Sequence, residues 1–293
     1  MNNIIIAGGT GFVGEELSKR FRADGYRVLI VSRSSGDIRW SEKEKLQEAL
    51  SSAALVLNLA GKSVNCRFTE ANKKELLASR ISSTEMIGEA IKSASKKTPL
   101  WINASGGAIY NEFSDKINIE SSPTSGQSFM AEVARQWEKT FFSLAQNGTR
   151  QVALRISLVL GKSGGVYPIF RKLASIGAGG TQGSGDQKMS WIHIEDMYRM
   201  IRFIIDQNEI SGPVNCAAPE ATDNRHFMKA LRASIRMPFG FPAFAWMIKI
   251  GTSIIGVDSS LVLNSLWMKP QKLIDSGFKF QFESLDKALK DLC

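Results

Sequence analysis

The chain alternates between two hydrophobic patterns. Short apolar runs, several rich in β-branched residues and bounded by glycine or polar turns, read as buried strands at residues 3–7 (NIIIA), 27–32 (RVLIVS), 54–59 (ALVLNL), 100–105 (LWINAS) and 151–160 (QVALRISLVL). Between them, polar stretches carry apolar residues one helical turn apart. Leu17 and Phe21 mark a helix over residues 14–24 with Gly25 as its stop, a long helical pattern covers 72–95, and Val133, Trp137 and Phe141 mark 129–145. This order predicts a parallel sheet wound with right-handed crossovers. Further along, residues 191–194 read as a strand, 195–207 and 224–234 as helices, and the remainder as small elements. Residues 161–188 differ: Gly164, Gly165, Gly177, Gly179, Gly180, Gly183 and Gly185 predict loops around short helices, a suitable mouth for a site.

Length and composition narrow the picture only a little. The 293 residues fit one large α/β domain or one with a smaller cap, and 43% hydrophobic residues can supply a packed core. The net charge is +9, but the cations are dispersed, as in the pairs Lys73-Lys74 and Lys96-Lys97. A solvated basic surface that favours a phosphate-bearing ligand fits this better than nucleic-acid binding. Cys66, Cys216 and Cys293 show no metal-ligand or CxxC spacing, so reduced thiols, no metal site and a cytoplasmic home are expected. No secretory leader is visible. The longest apolar stretch, residues 239–257, is interrupted by Gly240, Pro242, Lys249, Gly251 and Gly256, so no membrane span is expected.

The candidate chemistry starts at the first strand. Gly8-Gly9-Thr10-Gly11-Phe12-Val13-Gly14 places glycines at 8, 11 and 14 between a strand and a helix. In that context the first glycine permits the tight turn, the middle one lets the backbone approach a pyrophosphate, and the last lets helix and strand pack closely. The helix N-terminus then offers unpaired amides and partial positive charge. At the end of the second strand, where an NAD site would carry a carboxylate, the chain has Ser32-Arg33-Ser34. A guanidinium there can grip a 2′-phosphate, so NADP(H) is favoured over NAD(H); nearby Asp37 keeps NAD(H) as the alternative. Asn58-Leu59-Ala60-Gly61 ends another strand, with small residues against which a cofactor can lie.

The GGTGFVG, NLAG and ASGG segments, with SWIHIEDM near the middle, resemble those of extended short-chain dehydrogenases/reductases. Glu75 with Ser79-Arg80, Trp137-Glu138, RISLVLG at 155–161 and Lys269-Pro270 resemble more narrowly the atypical "epimerase family" branch. The resemblance spans essentially the whole chain. It implies an α/β, Rossmann-type doubly wound parallel sheet with a smaller C-terminal substrate lobe. Residues 1–160, with 190–215 returning, would bind the cofactor; residues 161–189 and 216–293 would form the substrate lobe and small C-terminal domain. It implies cofactor contacts from residues 8–13 and from Ser32, Arg33, Leu59, Ala60, Glu75, Arg80 and Leu158. A nucleotide sugar is the family's default substrate, and the extended branch often forms homodimers.

Standard members transfer the substrate proton with a Tyr-x-x-x-Lys pair on one helix, beside a Ser or Thr at a strand end. Here Phe129 and Val133 stand at the pair's positions, and none of Tyr26, Tyr110, Tyr167 and Tyr198 has Lys four residues later. Neither Phe nor Val can move a proton. Ser105 matches the family's hydroxyl and Tyr110 follows in the next loop, so these two are the catalytic candidates. His193 reads as a structural histidine, and Asp196 as a cap for the helix after it. The expected function is NADP(H)-dependent oxidoreductase or epimerase-like chemistry on an unknown small molecule. The alternative is a catalytically silent NADP(H)-binding sensor or scaffold.

Overall fold

Ile4, Ile5 and Ile6 are completely buried, which places their strand at the centre of a sheet covered on both faces. The computed structural model describes residues 3–111 and 116–293. In chain order the first elements are β1 (Asn3–Ala7), α1 (Phe12–Ala23), β2 (Arg27–Ser32), β3 (Ile38–Arg39), α2 (Lys43–Ser51), β4 (Ala53–Asn58), α3 (Glu70–Ser93), β5 (Leu100–Gly106), α4 (Phe129–Ser143) and β6 (Arg150–Ile156). Then come β7 (Leu158–Gly161), β8 (Gly164–Gly165), α5 (Tyr167–Ser175), β9 (Lys188–Met189), β10 (Trp191–His193), α6 (Ile194–Asp206), β11 (Gly212–Cys216), β12 (Thr222–Asp223) and α7 (Asn224–Ser234). The chain finishes with α8 (Ala245–Ile255), α9 (Ser260–Leu263), α10 (Gln271–Asp275) and α11 (Leu285–Leu292).

Seven strands form a parallel sheet in the order β11-β6-β5-β4-β1-β2-β3. Alternate residues of each strand feed different cores, as the two-residue period requires. Ile4, Ile6, Leu55, Leu57 and Ile102 pack with Leu17 and Phe21 of α1 and Met197 and Ile201 of α6. Ile5, Val31, Val56 and Trp101 pack on the other face with Leu46 of α2, Ile87 of α3 and Phe141 of α4. The strand order reverses direction on the two sides of β1. The gap between β1 and β4 is therefore the topological switch point, where a crevice opens beyond the carboxyl ends of the strands.

Two expectations are corrected. The apolar run 151–160 is not one strand. At Ser157 both the N–H and the hydroxyl donate to the Cys216 carbonyl, at 3.1 and 2.8 Å. β7 then leaves the large sheet to pair with β10. Nor does Asp196 cap α6. His193 does, its Nδ1 accepting from the Glu195 N–H at 3.2 Å. Asp196 is fully buried and accepts from the amides of Gln281 and Phe282 at 2.8 and 2.7 Å, clamping the chain's end to α6. That end packs into a second core of Phe170, Trp191, Phe227, Leu231, Leu285 and Leu289, joining α5, α7 and α11. Among the described residues no helix is long and apolar enough to cross a membrane, and no His, Cys, Asp or Glu cluster could hold a metal ion.

Candidate functional site

A groove of about 540 Å³ lies at the switch point, lined by Gly8, Thr10 and Gly11 after β1, Ser32 and Arg33 at the end of β2, and Leu59, Ala60 and Gly61 after β4. Gly8 adopts φ +78°, and a Cβ there would lie 2.8 Å from the backbone of Leu59 and Ala60. A Cβ on Gly14 would lie 2.5 Å from Gly9 Cα. Both positions therefore need glycine for the chain's own packing. Gly11 is different: its Cβ would meet only the Gly8 carbonyl at 3.6 Å, so the space above it is open to a ligand. Gly11 is also the N-cap of α1, and no side chain caps that helix. The amides of its first turn have no partner within the helix and are available to an anion.

Two cations, Arg33 on the groove lining and Arg80 behind Gly61, lack a carboxylate partner among the described residues. Arg80 is buried, and its guanidinium donates to the Leu76 carbonyl at 2.8 Å and lies over the Trp137 ring. Burial pushes it down to about 10, and no carboxylate pairs with it among the described residues. Arg33 is exposed at the rim and likewise makes no ion pair among the described residues. Asp37, the group that would suit a free ribose hydroxyl, accepts from the Ile30 N–H at 2.8 Å and is turned back onto β2. An open glycine cradle and an uncapped helix fit a dinucleotide diphosphate, with the Arg80 guanidinium behind Gly61 at the edge of the groove.

The other expected cofactor residues have different surroundings. Phe12 packs its ring against Gly161 and Gly164, and Val13 packs against the core, so their side chains support the loop. Asn58 is buried and bonds Thr84, Asn103 and the Ala60 amide, shaping the turn from beneath. Glu75 is 64% exposed and pairs with Lys62, which itself lines the groove. Leu158 lines a separate cavity. The structure adds Trp40, Lys62, Met86 and the α3 serines Ser79, Ser82 and Ser83 to the groove. Serines at i, i+3 and i+4 on the helix after NLAG were the available signal; nothing marked Trp40 or Met86.

The separate cavity, about 300 Å³, is lined by Phe68, Tyr110, Ser128, Phe129, Leu158, Phe170, Lys188 and Leu266 among others. Beneath it lies a buried polar network. Arg155 and Glu138 form a two-pronged ion pair, with both contacts at 2.8 Å. The Ser105 hydroxyl donates to Glu138 at 2.7 Å. Arg155 also donates to the Tyr110 hydroxyl at 2.7 Å, and that hydroxyl lies 2.8 Å from Asn215 Oδ1 and 3.0 Å from the Ile119 carbonyl. The structure thus brings Ser105 and Tyr110 into one network, but with both hydroxyls already engaged. Burial raises the Tyr110 phenol above its ordinary value despite the neighbouring guanidinium. Burial alone would lower Arg155; the Glu138 carboxylate and Tyr110 outweigh it and hold the cation firmly charged. Cys216 is fully buried, which pushes its thiol up and leaves it inert.

Comparison with known proteins agrees with this geometry. The model of the NAD dependent epimerase/dehydratase family matches residues 4–217, and that of a domain of unknown function, DUF1731, matches residues 243–292. The chain is 33% identical to epimerase family protein YfhF of Bacillus subtilis, covering 99% of this chain and 97% of that protein. It is 30% identical to epimerase family protein SDR39U1 of Mus musculus, covering 99% of each. The crystal structure of human epimerase family protein SDR39U1 (isoform 2) with NADPH superposes with a TM-score of 0.90 at 29% identity, covering 99% of this chain and 98% of that one. A nucleoside-diphosphate sugar epimerase from Corynebacterium glutamicum superposes with a TM-score of 0.78 at 26% identity, covering 98% of this chain and 57% of that one. On both sequence and fold, the chain belongs to the NAD dependent epimerase/dehydratase family.

Proposed function

We propose that this chain binds NADP(H) in the switch-point groove and acts as an oxidoreductase or epimerase-like enzyme on a small molecule held in the cavity lined by Tyr110. The observation that carries the cofactor choice is Arg33, an unpaired guanidinium at the groove rim, beside an Asp37 whose carboxylate is taken by the Ile30 amide. The NADPH in the human relative's structure supports the same reading. A bound nicotinamide would supply or take up hydride. The chain's own residues would do the rest. The first-turn amides of α1 and the Arg80 guanidinium face the diphosphate, and Arg33 with the Ser32 hydroxyl meets a 2′-phosphate. On this reading residues 1–160 with 190–215 carry the cofactor, and residues 161–189 with 216–293 build much of the substrate side.

Ser105 and Tyr110 enter this proposal through the Glu138–Arg155 pair, which fixes both hydroxyls and so sets the cavity floor. A second reading, an NADP(H)-binding sensor without turnover, has its own support: Phe129 stands where a proton-transferring tyrosine is expected. One assay separates the two. Purified protein is given NADPH and a metabolite extract, and cofactor oxidation is followed. Turnover by wild type that falls at least ~10-fold in Tyr110→Phe supports the enzyme. No turnover by wild type with retained NADPH binding favours the sensor, and no NADPH binding removes both.

A further inference from the structure

The cavity is unlike the groove in its charge. Its wall is assembled from distant segments: Phe68 ahead of α3, Phe129 on α4, Leu158 on β7, Phe170 on α5 and Leu266 beyond α9. At about 300 Å³ it sits at the low end of small-molecule pockets. Among the described residues that line it, Lys188 is the one charged residue, and no Asp or Glu is there. The backbone of Lys188 is pinned from two sides. Its N–H donates to Ser265 Oγ at 2.9 Å, and its carbonyl accepts from the Leu266 N–H at 2.8 Å.

Among the described residues no carboxylate forms an ion pair with this cation. Asp223 lies opposite it in the antiparallel β9–β12 pair, but that carboxylate caps α7 by accepting from the His226 N–H at 2.8 Å. The Lys188 ammonium instead lies 5.2 Å from the centroid of the Trp267 ring. A half-buried ammonium beside one indole, near a lining whose other polar side chains, Tyr110, Ser128, Ser260, Asn264 and Ser265, are all neutral, is only partly compensated, and an anionic ligand group would complete it. One ammonium suits one small anion. A nucleotide diphosphate brings two phosphoryl groups, which need several cations or amides.

We infer that this cavity takes a molecule with an apolar body and a single anionic head group, such as a carboxylate, and that Lys188 selects that head group against neutral compounds and nucleotide sugars. The inference rests on the proposal that this cavity is the substrate site, and it names the substrate class. Decanoate and decanol test it, because they share an alkyl chain and differ in charge. Each is titrated calorimetrically into wild type, Lys188→Met and Lys188→Arg, with and without NADPH. Wild type is expected to bind decanoate at least ~10-fold more tightly than decanol. The methionine variant should lose that preference while keeping its decanol affinity, and the arginine variant should restore it. UDP-glucose should not displace decanoate. Binding of neither probe, an undiminished preference in Lys188→Met, or displacement by UDP-glucose at comparable concentration overturns the inference. NADPH affinity, read in the same samples, reports separately: a protein that prefers decanoate and ignores NADPH keeps this inference and loses the cofactor proposal.

Discussion

The groove and the cavity open on the same family fold, yet they are made of different material. The groove is largely backbone, built from the ends of β1, β2 and β4; of its lining cations Lys62 pairs with Glu75, while Arg33 has no carboxylate partner among the described residues. The cavity is largely side chains from widely separated segments, and the polar groups beneath it are saturated by one another. Backbone at a switch point suits a ligand defined by its phosphates. Side chains from both halves of the chain define shape and charge, so the second ligand is set by residues that only folding brings together.

The comparison can be broken most severely from below the cavity. Glu138→Gln leaves Arg155, only 3% exposed, without its counter-charge. Urea unfolding is expected to show a loss of about 3–5 kcal/mol, with NADPH affinity little changed in the protein that remains folded. Replacing Glu138 and Arg155 together by methionine should cost less than the single change, because no buried charge is then stranded. The groove is broken by Gly14→Ala. The new methyl would meet the Gly9 Cα at 2.5 Å and the Gly8 carbonyl at 2.6 Å, so the loop itself must move. Titration should show NADPH affinity falling ~100-fold or more, with cavity ligands spared.

A smaller effect lies at the joint between the large sheet and the lobe. Burial lowers His193 below its ordinary value and outweighs the Asp291 carboxylate 3.4 Å away. The unfolded histidine takes up its proton near pH ~6.5 and the folded one only below that, so the unfolded chain binds more protons in this window. Stability should therefore be full above about pH 7 and fall as pH drops through 6, by at most ~1.4 kcal/mol per pH unit from this residue. His193→Asn keeps a capping acceptor without the titration, and its stability curve should be flatter over the same range. An equally steep curve would assign the dependence to other groups.

The sheet was legible because its strands are buried on both faces. Runs such as NIIIA and RVLIVS have one plausible use, and the structure begins and ends them where the pattern does. The glycine loop was legible for the same kind of reason, since Gly8 and Gly14 answer to local backbone contacts. What escaped depended on distant partners. The run 151–160 keeps its apolar character through Ser157, so only the bonds from Ser157 to Cys216 reveal that the strand changes sheets. α2 buries just Leu46, Ala49 and Leu50 on nine residues, too short a stripe to stand out. Glu138 is an ordinary helix carboxylate in sequence and becomes central only because β6 brings Arg155 to it. Trp40 carries no motif, and Lys188 closes the glycine-rich stretch without being marked within it; their roles are created by what folds against them.

On the proposed reading, a backbone cradle holds a diphosphate while Arg33 holds the phosphate that distinguishes NADPH from NADH. Calorimetric titration of both nucleotides into wild type and Arg33→Ala tests it directly. Wild type is expected to prefer NADPH, and the variant to weaken NADPH by ~10–100-fold, the worth of one charge-assisted contact, while NADH binding barely changes. Equal losses for both nucleotides, or no nicotinamide nucleotide binding by wild type, would contradict it.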